Sequence, residues 1–179
     1  MGKKLYVILG FPGVGKTELC EYLDMVHGIK RIKTCTSKPS TRWDHDKYRF
    51  MSPEEFNRRE SAGELKLVRT VKFPSGGDYL FKTHKYGTSS CDLKKGGSII
   101  LNWDGYTDIL STRQEDVIAI LLDIPQEEII DRLKDRVKEE KISDPKDVKE
   151  LLKEEIKDIM KQSGENNELQ LNPSPAVIL

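Results

Sequence analysis

The chain has 179 residues, enough for one good hydrophobic core and too few for two. Thirty Lys and Arg balance thirty Asp and Glu, so the molecule as a whole is no polyanion binder, and a nucleic-acid role would need a local patch that these totals do not announce. The three cysteines (Cys20, Cys35, Cys91) lack C-x-x-C spacing, too few apolar residues precede Gly10 for a signal peptide, and no run is long enough to span a bilayer. A soluble cytoplasmic protein with reduced thiols and no nucleic-acid or membrane partner is expected.

Residues 4–9 carry the apolar run Leu5-Tyr-Val-Ile-Leu9 and read as a buried strand. Directly behind it, Gly10-Phe-Pro-Gly-Val-Gly15-Lys16-Thr17 satisfies G-x-x-x-x-G-K-[ST] between a strand and a helix pattern. Glycines permit backbone angles and close approaches that a side chain would block, so consecutive N–H groups can ring a phosphate. Gly10, Gly13, Val14, Gly15, Lys16 and Thr17 are therefore candidate cofactor-binding residues. Lys16 would reach the outer phosphates, and the Thr17 hydroxyl would take a place on Mg²⁺. The helix over 16–26 has apolar positions at Leu19, Tyr22, Leu23 and Val26 and ends at Gly28.

Ile29 to Thr34 is a second strand candidate, followed by a polar, turn-rich stretch to Phe50. Ser52-Pro53-Glu54-Glu55 predicts a helix start, with Ser52 as N-cap and Glu55 completing a capping box, and that helix stops near Gly63. Residues 65–86 alternate as a hairpin around Pro74-Ser-Gly76-Gly77. Tyr86 to Ser90 turns into a helix that Gly96-Gly97 ends. Ser98–Asp104 reads as a buried strand with polar groups at its C-terminal end, and Val117–Leu122 as a longer, uniformly apolar one. Such runs, alternating with helices, suit a covered parallel sheet whose ligands gather at the strands' carboxyl ends, where Gly10, Asn102, Asp104 and Asp123 fall. From Gln126 to Met160 the pattern is helical and densely charged, with a poorly anchored connection over 138–146. Leu169–Asn172 is a candidate final strand before Pro173 and Pro175 break the tail. The expected fold is α/β, a three-layer P-loop NTPase with a parallel sheet core.

Further segments resemble the guanylate kinases, nucleoside monophosphate kinases of the P-loop class, in the order that family uses. Thr36-Ser-Lys38-Pro39 is similar to its Thr-Thr-Arg-x-Pro, Tyr48-Arg-Phe50 to its Asp-Tyr-x-Phe, and Ser52-Pro-Glu-Glu-Phe56 with Gly63-Glu64 to the helix and turn before its base pocket. Tyr86-Gly-Thr-Ser89 is similar to its Tyr-Gly-Thr-Ser, Leu101-Asn-Trp-Asp104 to its Leu-Asp-Ile-Asp, and Arg132-Leu-Lys-Asp-Arg136 to its lid motif. The resemblance runs from about Leu5 to about Leu152, with an echo at Leu169–Asn172. It implies one domain: a core over about 1–34, 92–130 and 147–179, a small mixed β/α acceptor-binding insertion over about 35–91, and a helical lid over about 131–146.

The resemblance implies transfer of the γ-phosphoryl group of ATP, with Mg²⁺, to a nucleoside monophosphate. It assigns the acceptor phosphate to Lys38, Arg42, Tyr48 and Tyr86, base contacts to Thr34, Thr88 and Asp104, and catalysis to Lys16 and Lys38 with the lid arginines Arg132 and Arg136. Thr17, and Asp104 through water, would hold the metal. A phosphate monoester indeed wants cations and hydroxyl donors around it. The family reads guanine with the second glutamate of Gly-Glu-Phe-x-Glu, and here Leu67 stands in that place. Leucine cannot accept those hydrogen bonds, so either guanine is held differently or the base is another. Lys38 stands where the family has arginine, Asn102 where it has the first aspartate, and its further lid arginine has no counterpart here. Two other functions fit these residues less fully: a guanylate-kinase-like interaction domain without catalysis, and a P-loop kinase of a non-nucleotide small molecule. Protein partners are left open.

Overall fold

The computed structural model describes residues 4–11, 13–40, 48–74, 81–113, 116–139 and 176–178. Strand β1 (Leu5–Gly10) lies at the centre of a four-stranded parallel sheet, flanked by β6 (Gly97–Ile100) and β7 (Val117–Leu122), with β8 (Ala176–Ile178) at the edge beyond β7. The uniform apolarity of β1 has a direct cause. Side chains alternate across a strand. Leu5, Val7 and Leu9 join Ile99, Leu101, Tyr106 and Ile109 in one buried cluster, while Ile8 faces the opposite way with Cys20, Ile120 and the partly buried Leu19 and Leu23. Both faces are covered, so both sets must be apolar.

Helix α1 (Lys16–His27) supplies the second face and ends at Gly28, whose φ of 65° is the left-handed cap expected of a glycine. Its buried residue is Cys20, and burial pushes that thiol's pKa up. Tyr22 and Val26, expected on the apolar stripe, are instead 51% and 54% exposed, because the sheet meets the helix along Leu19, Cys20 and Leu23.

The expected strand over Ile29–Thr34 is shifted. Arg31 makes only an isolated parallel bridge to Ser98, and β2 occupies Thr34–Thr36 in a second sheet of order β3-β2-β5-β4. There β3 (Tyr48–Phe50) runs parallel to β2, and β5 (Phe81–Ser89) runs antiparallel to both β2 and β4 (Leu65–Pro74). The last two strands form the expected hairpin, whose tip lies outside the described residues. Strand β5 continues through Ser89, where a turn was expected, before helix α3 (Ser90–Lys95).

Helix α2 (Pro53–Ser61) starts as its sequence demands: Ser52 Oγ accepts a hydrogen bond from the Glu55 N–H at 3.2 Å. The Glu55 carboxylate accepts from Arg58 and Arg59. Those bonds hold its pKa down at about 2. Phe56, fully buried, anchors α2 on Cys35 and Leu65.

One expectation near the C-terminal half needs correction. The strand read over Ser98–Asp104 stops at Ile100, and Trp103–Arg113 is helix α4, begun where Asn102 Oδ1 accepts the Gly105 N–H at 3.1 Å. An apolar stretch before a polar one resembled a strand losing its cover, whereas it is a strand followed by a capped helix. Helix α5 covers Gln126–Glu139, and the rest of the charged helical stretch lies outside the described residues, as does Leu169–Asn172. The observed final strand is Ala176–Ile178, which pairs with Ala119–Leu121 just after the prolines expected to break the tail.

Candidate functional site

Three glycines with positive φ shape the loop after β1: Gly10 at 134°, Gly13 at 83° and Gly15 at 99°. Gly10 has a second constraint, since a Cβ there would lie 2.5 Å from the Leu122 carbonyl oxygen. Gly15 is the N-cap of α1, and no side chain caps that helix. First-turn N–H groups without a cap, at the positive end of the helix, suit an anion. Lys16 Nζ donates to the carbonyls of Gly10 at 2.8 Å and Phe11 at 2.6 Å, which holds the ammonium over the loop. Thr17 follows in the same helical turn. The Val14 side chain is buried against Ile129, so of this residue only the backbone remains for a ligand.

Helix α5 backs the loop. Ile129 is fully buried with Val14, and Phe11 packs on the pair. Near one turn further on, Arg132 Nη1 lies 3.9 Å from where a Cβ on Gly15 would stand, and its Nη2 donates to Glu128 Oε1 at 2.6 Å. The apolar anchor therefore brings a guanidinium to the phosphate loop. Arg136 is another turn along α5; its side chain lies outside the described residues.

Beyond the carboxyl end of β6, beside the strand that carries the loop, lies a cavity of about 80 Å³. Four sequence-predicted residues from separate stretches line it: Thr34 of β2, Tyr86 and Thr88 of β5, and Asp104 of α4. Asn102 and Leu67 line it too. Tyr48 contacts Tyr86 edge-on, with ring centroids 5.7 Å apart, and so reaches the cavity only through that neighbour. Lys38 follows β2, its N–H donating to Thr36 Oγ1 at 3.1 Å, and is not among the lining residues. Arg42 lies outside the described residues. Asp123 follows β7 and is exposed.

Two charged lining residues escaped the sequence reading. Arg69 reaches the cavity because the β4–β5 register shifts between Lys66 and Arg69, where Leu67 has a φ of 53°. A left-handed leucine is an unfavourable conformation that surrounding structure must hold. Asp108 shares α4 with Asp104, four residues on, the spacing that puts two side chains on one helix face. That spacing was visible in the sequence once the helix was recognised.

The donor set suits a nucleoside triphosphate and a hard cation. Among the described residues, no three His, Cys, Asp or Glu side chains are grouped to hold a metal by themselves. The Thr17 hydroxyl and Asp104 carboxylate are oxygen ligands of the kind Mg²⁺ takes alongside water and phosphate oxygens.

A parallel sheet, a glycine loop at its carboxyl edge and an uncapped helix behind that loop define a P-loop NTPase fold. The chain belongs to a family described as AAA domain, whose model matches residues 7–158. Among solved structures it is similar to guanylate kinase from Anaplasma phagocytophilum, with 22% identity and a TM-score of 0.49 over 73% of this chain and 66% of that one. It is also similar to a possible uridine kinase from Bacillus stearothermophilus, with 15% identity and a TM-score of 0.27 over 73% of this chain and 76% of that one. The chain thus spans 66% of the length of that guanylate kinase. No curated protein matches it. No helix among the described residues is long and apolar enough to cross a membrane.

Proposed function

We propose that the protein is a cytoplasmic kinase that transfers the γ-phosphoryl group of ATP to a nucleoside monophosphate, giving the diphosphate. The observation that carries this proposal is the convergence of Thr34, Tyr86, Thr88 and Asp104 on one cavity, past the strand beside the phosphate loop. The ordered resemblance of these segments to the guanylate kinases supports it, and with it the reading of one domain with an acceptor-binding insertion and a lid.

On the donor side, loop N–H groups and Lys16 bind the triphosphate, and Arg132 stands by the loop to meet charge that builds up on the phosphoryl group. Thr17, and Asp104 through water, would hold Mg²⁺, which would supply neutralisation of phosphate charge. On the acceptor side, Lys38, Arg42, Tyr48 and Tyr86 hold the monophosphate, and Arg136 joins Arg132 over the transferred group. The work of these residues is positioning and charge stabilisation rather than covalent catalysis. Leu67 in the cavity wall offers no acceptor to guanine's N–H groups, whereas Thr34, Thr88 and Arg69 offer donors. The Asp104 and Asp108 carboxylates on the same wall can still accept from guanine's amino group, so this set of donors and acceptors suits both guanine and a base rich in carbonyls.

The test is ADP release from ATP with GMP, dGMP, dTMP, dUMP, AMP and CMP, compared as kcat/KM. One monophosphate should stand out by tenfold or more. Absence of transfer to any of them, from folded protein with Mg²⁺, would sink the proposal.

A further inference from the structure

At the amino ends of β1 and β6, away from the phosphate loop, lies a cleft of about 650 Å³. Six cations line it: Lys4, Lys30, Arg31, Lys33, Arg49 and Lys95. Asp92 is the carboxylate that lines it with them. In a chain whose charges cancel overall, this is a concentrated positive field. Three of the cations are engaged: Lys30 with Asp24 at 2.5 Å, and Arg49 and Lys95 with Asp92 at 3.0 and 3.6 Å. Lys4, Arg31 and Lys33 have no carboxylate partner among the described residues.

The backbone carrying those three is fastened to the sheet. Gly97 N–H donates to the Lys4 carbonyl at 3.1 Å, Ser98 N–H to the Lys30 carbonyl at 3.0 Å, and Ile32 N–H to the Ser98 carbonyl at 2.8 Å. Gly97, at a φ of 131°, lets the Lys30 carbonyl come so close that a Cβ would collide with it. The half-buried Tyr6 and the buried Ile32 also line the cleft, giving its charged walls an apolar part. Holding unpaired like charges together on an ordered backbone is electrostatically unfavourable, and an anion of matching charge relieves it.

We propose that this cleft is a second ligand site, for the polyphosphate chain of a small molecule, with Lys4, Arg31 and Lys33 as its binding cations. Its volume lies within the range of small-molecule sites, roughly 300–1,000 Å³. It stands one strand length from the loop, about 20 Å for six residues at ~3.3 Å each. The two sites therefore bind independently occupied ligands, joined by β1 and by α1, which starts at the loop and ends at Gly28 in the cleft.

The experiment is calorimetric titration of the full chain with tripolyphosphate, ATP and a twelve-residue oligothymidylate, at two salt concentrations. Lys16→Ala serves as background, to weaken the loop. In that background tripolyphosphate should still bind one to one. Adding Lys4→Ser and Lys33→Ser should weaken it at least tenfold and flatten its salt dependence. Equal affinity for tripolyphosphate and ATP identifies the inorganic chain as sufficient; tighter ATP binding means that the nucleoside is held as well. Loss of all binding in Lys16→Ala, or unchanged affinity in the Lys4/Lys33 variant, overturns the proposal. So does oligothymidylate binding more than tenfold tighter than tripolyphosphate, which would make the cleft a nucleic-acid groove. Thermal melts check folding, and Arg31→Gln repeats the test if the double variant does not fold.

Discussion

The two sheets present themselves to ligands in different ways. In the parallel sheet, the end of β1 offers backbone: three positive-φ glycines, an uncapped helix start, and a lysine lying over the loop's own carbonyls. In the second sheet the cavity wall is made of side chains, and strand register and a shift between Lys66 and Arg69 decide which of them face inward. Backbone geometry tolerates little change and recognises what all nucleotides share, their phosphates. Side-chain walls tolerate substitution and so are where a choice of base can be altered without losing the fold.

If that division is right, the largest effect belongs to the loop's charge. Lys16→Ala should lower kcat roughly 100- to 1,000-fold, as loss of a preorganised charge at the transferring group does, with an unchanged melting temperature. Near-normal turnover in the folded variant would break the comparison at its stronger side. Next comes loop geometry. Gly10→Ala must adopt a φ of 134° with its Cβ against the Leu122 carbonyl, so a loss of roughly 1–3 kcal/mol in stability is expected in urea melts. An unaffected variant would mean that the loop rearranges freely.

The cavity side should respond in preference rather than in survival. Leu67→Glu is expected to shift relative kcat/KM toward GMP by on the order of tenfold, the effect of about one added hydrogen bond, while thermal stability changes little. The same base preference before and after would show that the residue at 67 does not touch the base. The smallest effect lies outside both sites. Glu55 has a folded pKa of about 2, below its usual 4.5, because Arg58 and Arg59 donate to it. Its stabilisation is present above pH 4.5 and is lost as pH falls toward 2, and it is modest because the carboxylate is open to solvent. The melting temperature of Glu55→Gln should therefore lie slightly below that of the unmodified protein at pH 6, and the gap should narrow as pH falls from 4.5 toward 2.

Local chemistry alone determined the first strand, the phosphate loop, α1 with its Gly28 cap, and the start of α2 at Ser52. In each case neighbouring residues in the chain impose the geometry: glycine φ, an N-cap hydroxyl, an apolar run. What only the tertiary structure decided depends on partners distant in sequence. Cys20 rather than Tyr22 or Val26 is buried, because the sheet's position selects one stripe of α1. Trp103 and Asp104 are helical rather than extended, since Asn102 caps a helix that the sheet's other face covers. Ala176–Ile178 becomes a strand only because the open edge of β7 supplies its hydrogen bonds. The resemblance grouped Thr34, Tyr86, Thr88 and Asp104, but Arg69 and Asp108 joined them only through the register of β4 and the turn of α4. Register and packing are interactions between segments, and a pattern along one segment does not contain them.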